Sequence, residues 1–329
     1  MRESTLPELF LPLALVAAGC LFLQTARAEW HSDDQKKMGT LVEVQVWADD
    51  PVKAEQLLSA AMAEFDRIEA LMSTYIPASE MSRINAHAAA EPQQISAELF
   101  DLLQRSLTVS VMTEGAFDIT YDSVGYLYDF RARKRPAAAE IDAHLDQIDY
   151  RLVHLDEAAK TVHFGAAGVR INLGGIAKGY AVERVIALLA DQGVENALAS
   201  AGGDTRMLGD RRGKPWIVGI RDPNKDDAVF TRLALENEAI STSGDYERYF
   251  IEAGQRYHHI LQPSTGRPVQ GVRSATVIGP DATMTDALST SVFVMGPEKG
   301  LKLIDSLPGY EAVVITDEQL YYSAGLNPG

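Results

Sequence analysis

Lys178 lies one turn into an amphipathic stretch that starts just after a pair of glycines, in Ile171-Asn-Leu-Gly-Gly-Ile-Ala-Lys-Gly-Tyr180. A short apolar strand entering a glycine turn and then a helix N-terminus presents backbone N–H groups to an anion, and a lysine in the first turn adds a full positive charge. Phosphate binding is the chemistry that suits such an arrangement. The spacing is neither that of a P-loop, where the lysine follows the last glycine and precedes Ser or Thr, nor Gly-x-Gly-x-x-Gly. Alone, Gly174-Gly175 also reads as ordinary turn chemistry.

A second constellation is rich in oxygen. Asp286, Ser289 and Thr290 fall at i, i+3 and i+4 of a helix predicted over 283–295, so their side chains share one face near its N-terminus. Mg²⁺ takes oxygen ligands and keeps places open for water and phosphate, which fits a carboxylate with one or two hydroxyls. The competing reading is a capping box, with Thr283 as N-cap and Asp286 as its acid. His259, just before Pro263-Ser-Thr-Gly266, could move a proton, or be one more structural histidine on a strand. Gly115-Ala116-Phe117-Asp118 sets an aromatic beside a carboxylate where a helix turns towards a strand, suited to a stacked adenine or flavin ring or simply to the core. Tyr75 is an aromatic in an expected exposed loop.

The elements that must position these groups follow from periodicity. Leu41–Val46 alternates as a half-buried strand, and Asp50-Pro51 opens a helix with Leu57, Leu58, Ala61, Phe65, Ile68 and Leu71 on one face. A loop at 73–77 leads to Ser79–Asn85, and Ser96 caps a helix carrying Leu99, Leu102, Leu103 and Leu107. A short helix within 136–148 and a hairpin of 151–155 with 161–164 precede the helix from Ala177, whose apolar stripe stops at Gly193. Strands are predicted near 196–200, 216–220, 232–235, 239–242 and 274–278, with a hairpin between Phe250 and Tyr257. Helices at 283–295 and 298–306 and two strands close the chain. Strands outnumber helices and come in runs, the pattern of an α+β fold.

With 46% apolar and 23% charged residues in 329, the chain is ordinary globular material. Leu9–Leu23 is apolar over the length of a signal h-region, and Ala26-Arg27-Ala28 is a small-x-small cleavage pattern, so residues 1–28 read as an export signal. Ala18-Gly19-Cys20 offers the alternative of a lipoprotein signal with an anchor at Cys20. Cys20 is the single cysteine, so cleavage after Ala28 leaves no disulfide, no Cys–zinc site and no thiol nucleophile. The signal's acids and bases cancel, so the remainder keeps the net charge of −16. That charge repels nucleic acid and anionic lipid, and a phosphate-bearing ligand needs a local cation.

Taken in order, Met38-Gly-Thr40, Ser73-Thr-Tyr75 with Ser79-Glu80, Gly115-Ala-Phe-Asp118, Asn172–Gly179, Gly202-Gly-Asp204, Ser243-Gly-Asp245, His259–Gly266 and Thr285–Thr290 resemble the ApbE family of FAD:protein FMN transferases. The resemblance spans the chain from Met38 to the last helix. It implies an ApbE-like, T-fold-related unit over 29–329, with largely antiparallel sheets and packed helices. It also implies a Mg²⁺-dependent enzyme outside the cytoplasm that splits the diphosphate of FAD, transfers FMN to a Thr or Ser hydroxyl of an acceptor protein and releases AMP. Similar proteins flavinylate subunits of redox complexes.

By the same resemblance, FAD contacts fall on Met38, Tyr75, Ala116, Phe117, Asp118, Asn172, Lys178, His259 and Ile260. The metal falls on the Gly175 carbonyl with Asp286, Ser289 and Thr290, and the catalytic roles on His259, Asp286 and Lys178. The family most often has Asp where this chain has Asn172 and Gln262. A lysine in a first helical turn has little packing role, so Lys178→Ala is expected to lose FAD affinity and keep its fold. Two rival functions remain: an FAD pyrophosphatase with water as acceptor, and a periplasmic flavin-binding protein without turnover.

Overall fold

The computed structural model describes residues 28–223, 225 and 228–326. Residues 1–27 of the expected export signal, Cys20 included, lie outside the described residues. No described helix is long and apolar enough to cross a membrane.

Eight strands build one antiparallel sheet whose spatial order follows the chain. They are β1 (Glu29–Lys37), β2 (Thr40–Ala48), β3 (Ala197–Ala201), β4 (Asp204–Leu208), β5 (Ala239–Gly244), β6 (Val272–Gly279), β7 (Glu311–Thr316) and β8 (Leu320–Tyr322). The principal helices are α1 (Pro51–Met72), α2 (Glu80–His87), α3 (Ala97–Met112), α4 (Ala177–Asp191) and α5 (Ala282–Asp305). The mixed fold with mostly antiparallel strands is the one the sequence predicts.

Each strand alternates between two cores. Val42, Val44 and Val46 of β2 are fully buried in the cluster that holds Phe65 and Ile68 of α1 and Val182 and Val185 of α4. Ala275 and Val277 of β6 and Ala312 and Val314 of β7 pack with Leu288, Val292 and Phe293 of α5. Their neighbours Ile278, Val313 and Ile315 turn to the opposite face, where a hairpin of Trp216–Arg221 and Val229–Leu235 covers them with Trp216, Ile220 and Leu235. The period-two pattern thus puts helices on one face and a hairpin on the other.

β1 escapes the sequence prediction because Glu29–Lys37 carries five charges and one tryptophan. It is an edge strand, where charge is tolerated and guards against pairing with other chains. Trp30 nonetheless reaches Trp47 and Trp216, with ring centroids 5.4 and 5.1 Å apart. β1 and β2 are joined by Met38-Gly39 with φ of 51° and 72°, the two left-handed residues of a tight hairpin turn. Glycine accepts that conformation freely; a methionine there is uncommon.

The helix caps come out as predicted for α1, where Asp50 accepts from Val52 N, and for α3, where Ser96 accepts from Leu99 N. Ser79 caps α2 in the same way. The two predicted helices are both present as segments of α5, which breaks at Gly296-Pro297, where Gly296 has φ 77° and ψ 173°. One local prediction fails: Ile171–Leu173 is not a strand. Its backbone is instead held by the Asn85 amide, which donates to Ile171 O at 2.9 Å and accepts from Ile171 N at 2.8 Å, and by Asn172 N bonding to Ile119 O.

α4 and α5 cross at Gly179. A Cβ there would lie 2.1 Å from the Ala282 carbonyl oxygen and 2.6 Å from Asp286 Cβ. Gly179→Ala must therefore push the helices apart, and it is expected to destabilise the protein by about 2 kcal/mol or more. A urea midpoint equal to that of the wild type would contradict this close approach.

Candidate active site

The glycine turn is shaped by Asn172. Its Oδ1 accepts from Gly174 N at 2.8 Å, while Nδ2 reaches Asp122 Oδ1 at 3.2 Å and Thr74 Oγ1 at 3.4 Å. This bond set explains the departure from aspartate. Asp122 is already a buried carboxylate, with its pKa raised by burial against the pull of Arg170, and an aspartate at 172 would face it with a second negative charge. Gln262 binds Ser264 Oγ at 3.3 Å, and its carbonyl accepts from Thr265 N and Gly266 N, so it braces its own turn.

Lys178 does not stand free in front of this turn. Its ammonium is bonded to Asp204 Oδ2 and lies 3.9 Å from Asp286 Oδ2. The side chains of Asp204 and Asp286 are 1% and 3% exposed, that of Lys178 27%, so the lysine neutralises two buried carboxylates. Burial alone would lower its pKa, but Asp204 and Asp286 outweigh it and the net shift is upward. The expectation that Lys178 has little structural role is overturned, because its partners come from β4 and α5, far away in sequence. Asp286 is shifted upward as well, which for a carboxyl disfavours the charge: burial and the Asp204 charge push it up to about 7, against Lys178 and backbone N–H groups.

The capping-box alternative fails. Asp281 caps α5, accepting from Met284 N at 3.1 Å, and Asp286 Oδ2 instead accepts from Gly179 N at 2.9 Å across the helix crossing. Thr283 Oγ1 is buried without a hydrogen-bond partner.

Beside Asp286 the face is made of hydroxyls. Ser243 Oγ on β5 lies 3.0 Å from Ser289 Oγ and 3.1 Å from Thr290 Oγ1. Thr290 Oγ1 in turn sits 3.1 Å from where a Gly175 Cβ would be, and Phe117 Cε2 is 3.3 Å from the same point. The glycine turn and the N-terminal face of α5 thus meet, although 115 residues separate Gly175 from Thr290. No group of three or more His, Cys, Asp and Glu side chains that could hold a metal occurs among the described residues. One carboxylate, hydroxyls and a peptide carbonyl are hard oxygen donors, so the set fits Mg²⁺ and does not fit zinc.

The two adjacent histidines differ. His258 is buried; its Nε2 faces Val269 O at 2.8 Å and its Nδ1 accepts from Ile260 N at 3.3 Å, which makes it structural. His259 Nδ1 is buried and has no hydrogen-bond partner. Burial, and then the charges of Arg248, His258 and Lys178, push the His259 pKa down to about 3, so its ring is neutral and able to accept a proton or a hydrogen bond.

The remaining predicted contacts fall into two groups. Met38, in its left-handed turn, is tied by its N–H to Glu69 Oε2 at 2.9 Å, and Tyr75 is 82% exposed, a free aromatic face. Phe117 and Ile260 are core side chains, and Ala116 packs against the core around α5. Asp118 accepts from Thr120 N at 2.8 Å, Thr120 Oγ1 at 2.6 Å and Tyr150 N at 2.9 Å, so its carboxylate holds the turn that carries Phe117. Burial still raises its pKa.

Four further residues belong here without having been assigned a role from the sequence: Asp204, Ser243, Tyr121 and Arg248. The Tyr121 hydroxyl lies 3.3 Å from the Cβ position of Gly174, and Arg248 Nη2 3.1 Å from that of Gly39. Gly202-Gly203 before Asp204 was the available signal. A Cβ at Gly203 would lie 2.6 Å from Thr242 O, so the glycines let the chain cross β5 closely and deliver Asp204 under Lys178.

The ApbE family model matches residues 38–314. The chain belongs to the ApbE family. It is 32% identical over 322 residues to the FAD:protein FMN transferase of Treponema pallidum, covering 92% of this chain and 89% of that one. It is 28% identical to the protein of the same name from Escherichia coli K12, covering 97% and 96%. Among solved structures, the ApbE protein of Thermotoga maritima superposes with a TM-score of 0.83 at 34% identity, over 90% of this chain and 98% of that one. The flavin transferase ApbE of Vibrio cholerae superposes with a TM-score of 0.82 at 28% identity, over 92% and 99%. For this ApbE chain, the fold expected from the ordered motifs is the fold observed.

Proposed function

We propose that this chain is an FAD:protein FMN transferase. It takes FAD and an acceptor protein with a Thr or Ser hydroxyl, forms a phosphoester between that hydroxyl and FMN, and releases AMP. The observation that carries the reading is the convergence of the Gly174-Gly175 turn with Asp286, Ser289 and Thr290 in a chain of this family. The N–H groups of Gly174, Ile176, Ala177 and Gly179 are already bonded to Asn172, Leu173 and Asp286, so the diphosphate would be held by cations at the turn, and Tyr75 and Tyr121 would border the rings. Asp286, Ser289, Thr290 and the Gly175 carbonyl would hold Mg²⁺, which when bound neutralises phosphate charge and polarises the P–O bond.

The acceptor oxygen bonds to the phosphorus of the FMN half as the bond from that phosphorus to the bridging oxygen breaks, and AMP leaves with that oxygen. His259 receives the hydroxyl proton. Its pKa of about 3 reflects burial first and then the charges of Arg248, His258 and Lys178; the negative diphosphate would offset those charges and raise its basicity when FAD is bound. His259→Gln should therefore lower transfer by roughly a hundredfold and leave FAD affinity within about twofold. Equal losses in binding and transfer would give His259 a merely structural role.

The acceptor belongs to the class of redox-complex subunits, and the apolar run Leu9–Leu23 followed by Ala26-Arg27-Ala28 supports action outside the cytoplasm. The test is incubation with FAD, Mg²⁺ and a candidate acceptor, followed by a denaturing gel. Flavin fluorescence should travel with the acceptor band. AMP release without a fluorescent band would favour the pyrophosphatase, and no AMP release the binding protein.

A further inference from the structure

We propose that Arg248 is the protein's own cation for the FAD diphosphate, in place of Lys178. The inference rests on the proposed function and adds to it the residue that balances substrate charge. Lys178 is engaged by Asp204 and Asp286, and those three groups together carry one net negative charge. Mg²⁺ at Asp286 would offset that charge when bound, but the diphosphate would still lack a free cation of the protein's own unless another side chain faces it.

Arg248 meets the need. Its guanidinium has no hydrogen bond or ion pair among the described residues, and Nη2 lies against the Met38-Gly39 turn. By contrast Arg170, Arg206, Arg256 and Arg273 each face a carboxylate.

The backbone under Arg248 is held firmly. Its carbonyl accepts from His259 N at 3.2 Å, and Asp245, three residues earlier, is clamped by Arg256 at 2.8 Å and Arg273 at 3.0 Å. Arg248 also lies close enough to act electrostatically on Lys178, His259 and Tyr121. A planar fork on a fixed backbone can grip two phosphate oxygens at once, which a lysine cannot.

The experiment is calorimetric titration of FAD, with Mg²⁺ present and at rising KCl, into wild type, Arg248→Gln and Arg248→Lys. Arg248→Gln should bind FAD roughly ten- to a hundredfold more weakly, and its affinity should fall less steeply with salt, because one charge no longer contributes. Arg248→Lys should restore the salt dependence and only part of the affinity. If the glutamine variant does not fold, the lysine variant carries the test alone, with partial loss of affinity expected and full affinity overturning the proposal. Wild-type affinity and salt dependence in Arg248→Gln would overturn the role of Arg248 and leave the transferase reading intact. A wild-type protein that neither binds FAD nor releases AMP would overturn both.

Discussion

Asp286→Asn is expected to lower AMP release by about a thousandfold or more and to weaken Mg²⁺ binding in the same protein. Removing a carboxylate from a metal site forfeits several kcal/mol of charge stabilisation, and each 1.36 kcal/mol is about tenfold in rate. The fold should survive. Asparagine can still accept from Gly179 N, and the ionised carboxylate is not at ease in its buried place, since its pKa is pushed up to about 7. The sign follows from proton binding. Between the unfolded pKa and about 7 the folded metal-free protein binds more protons than the unfolded one, so this group's stabilisation is full at low pH and is lost as pH rises through 7. Without metal, Asp286→Asn should therefore be no less stable than wild type at pH 8. Calorimetry with Mg²⁺ and a coupled AMP assay decide the matter; an active variant would reduce Asp286 to a counter-ion of Lys178.

Lys178→Met should show the reverse pattern, in which stability is lost first. The substitution keeps much of the aliphatic stem and removes the charge, which leaves Asp204 and Asp286 buried with no cation between them. Breaking a buried pair in this way costs about 3–5 kcal/mol. The double variant Lys178→Met/Asp286→Asn should regain part of that loss, because one of the two stranded charges is gone. Urea unfolding of the two single variants and the double gives the coupling directly. A Lys178→Met protein of unchanged stability with only FAD affinity lost would restore the view of Lys178 as a free phosphate ligand.

Much of the fold was legible in the sequence because its signals are local. Asp50-Pro51, Ser96, the stripe of α4 and the alternation of β2 each state their structure within a few residues. β1 was not legible, since an edge strand of charged residues has no apolar alternation to read. Ile171–Leu173 reads as a strand because Ile171 and Leu173 flank Asn172 with apolar side chains, yet its hydrogen-bond partners are a side chain of α2 and the short 3-10 turn at Ile119.

At the site, residue types were legible and pairings were not. Helical periodicity predicts that Asp286, Ser289 and Thr290 share a face, but nothing near Lys178 in sequence says that Asp204 will neutralise it from the next strand but one along the chain's path. The same limit hid Arg248, whose guanidinium meets the Met38-Gly39 hairpin although the two are more than two hundred residues apart in sequence.

The central claim is group transfer, and the intact mass of the acceptor tests it most directly. After incubation with this protein, FAD and Mg²⁺, the denatured acceptor should gain the mass of one FMN less one water at a Thr or Ser, with one AMP released for each acceptor modified. An acceptor of unchanged mass beside free FMN and AMP would contradict transfer and show that water takes the phosphoryl group.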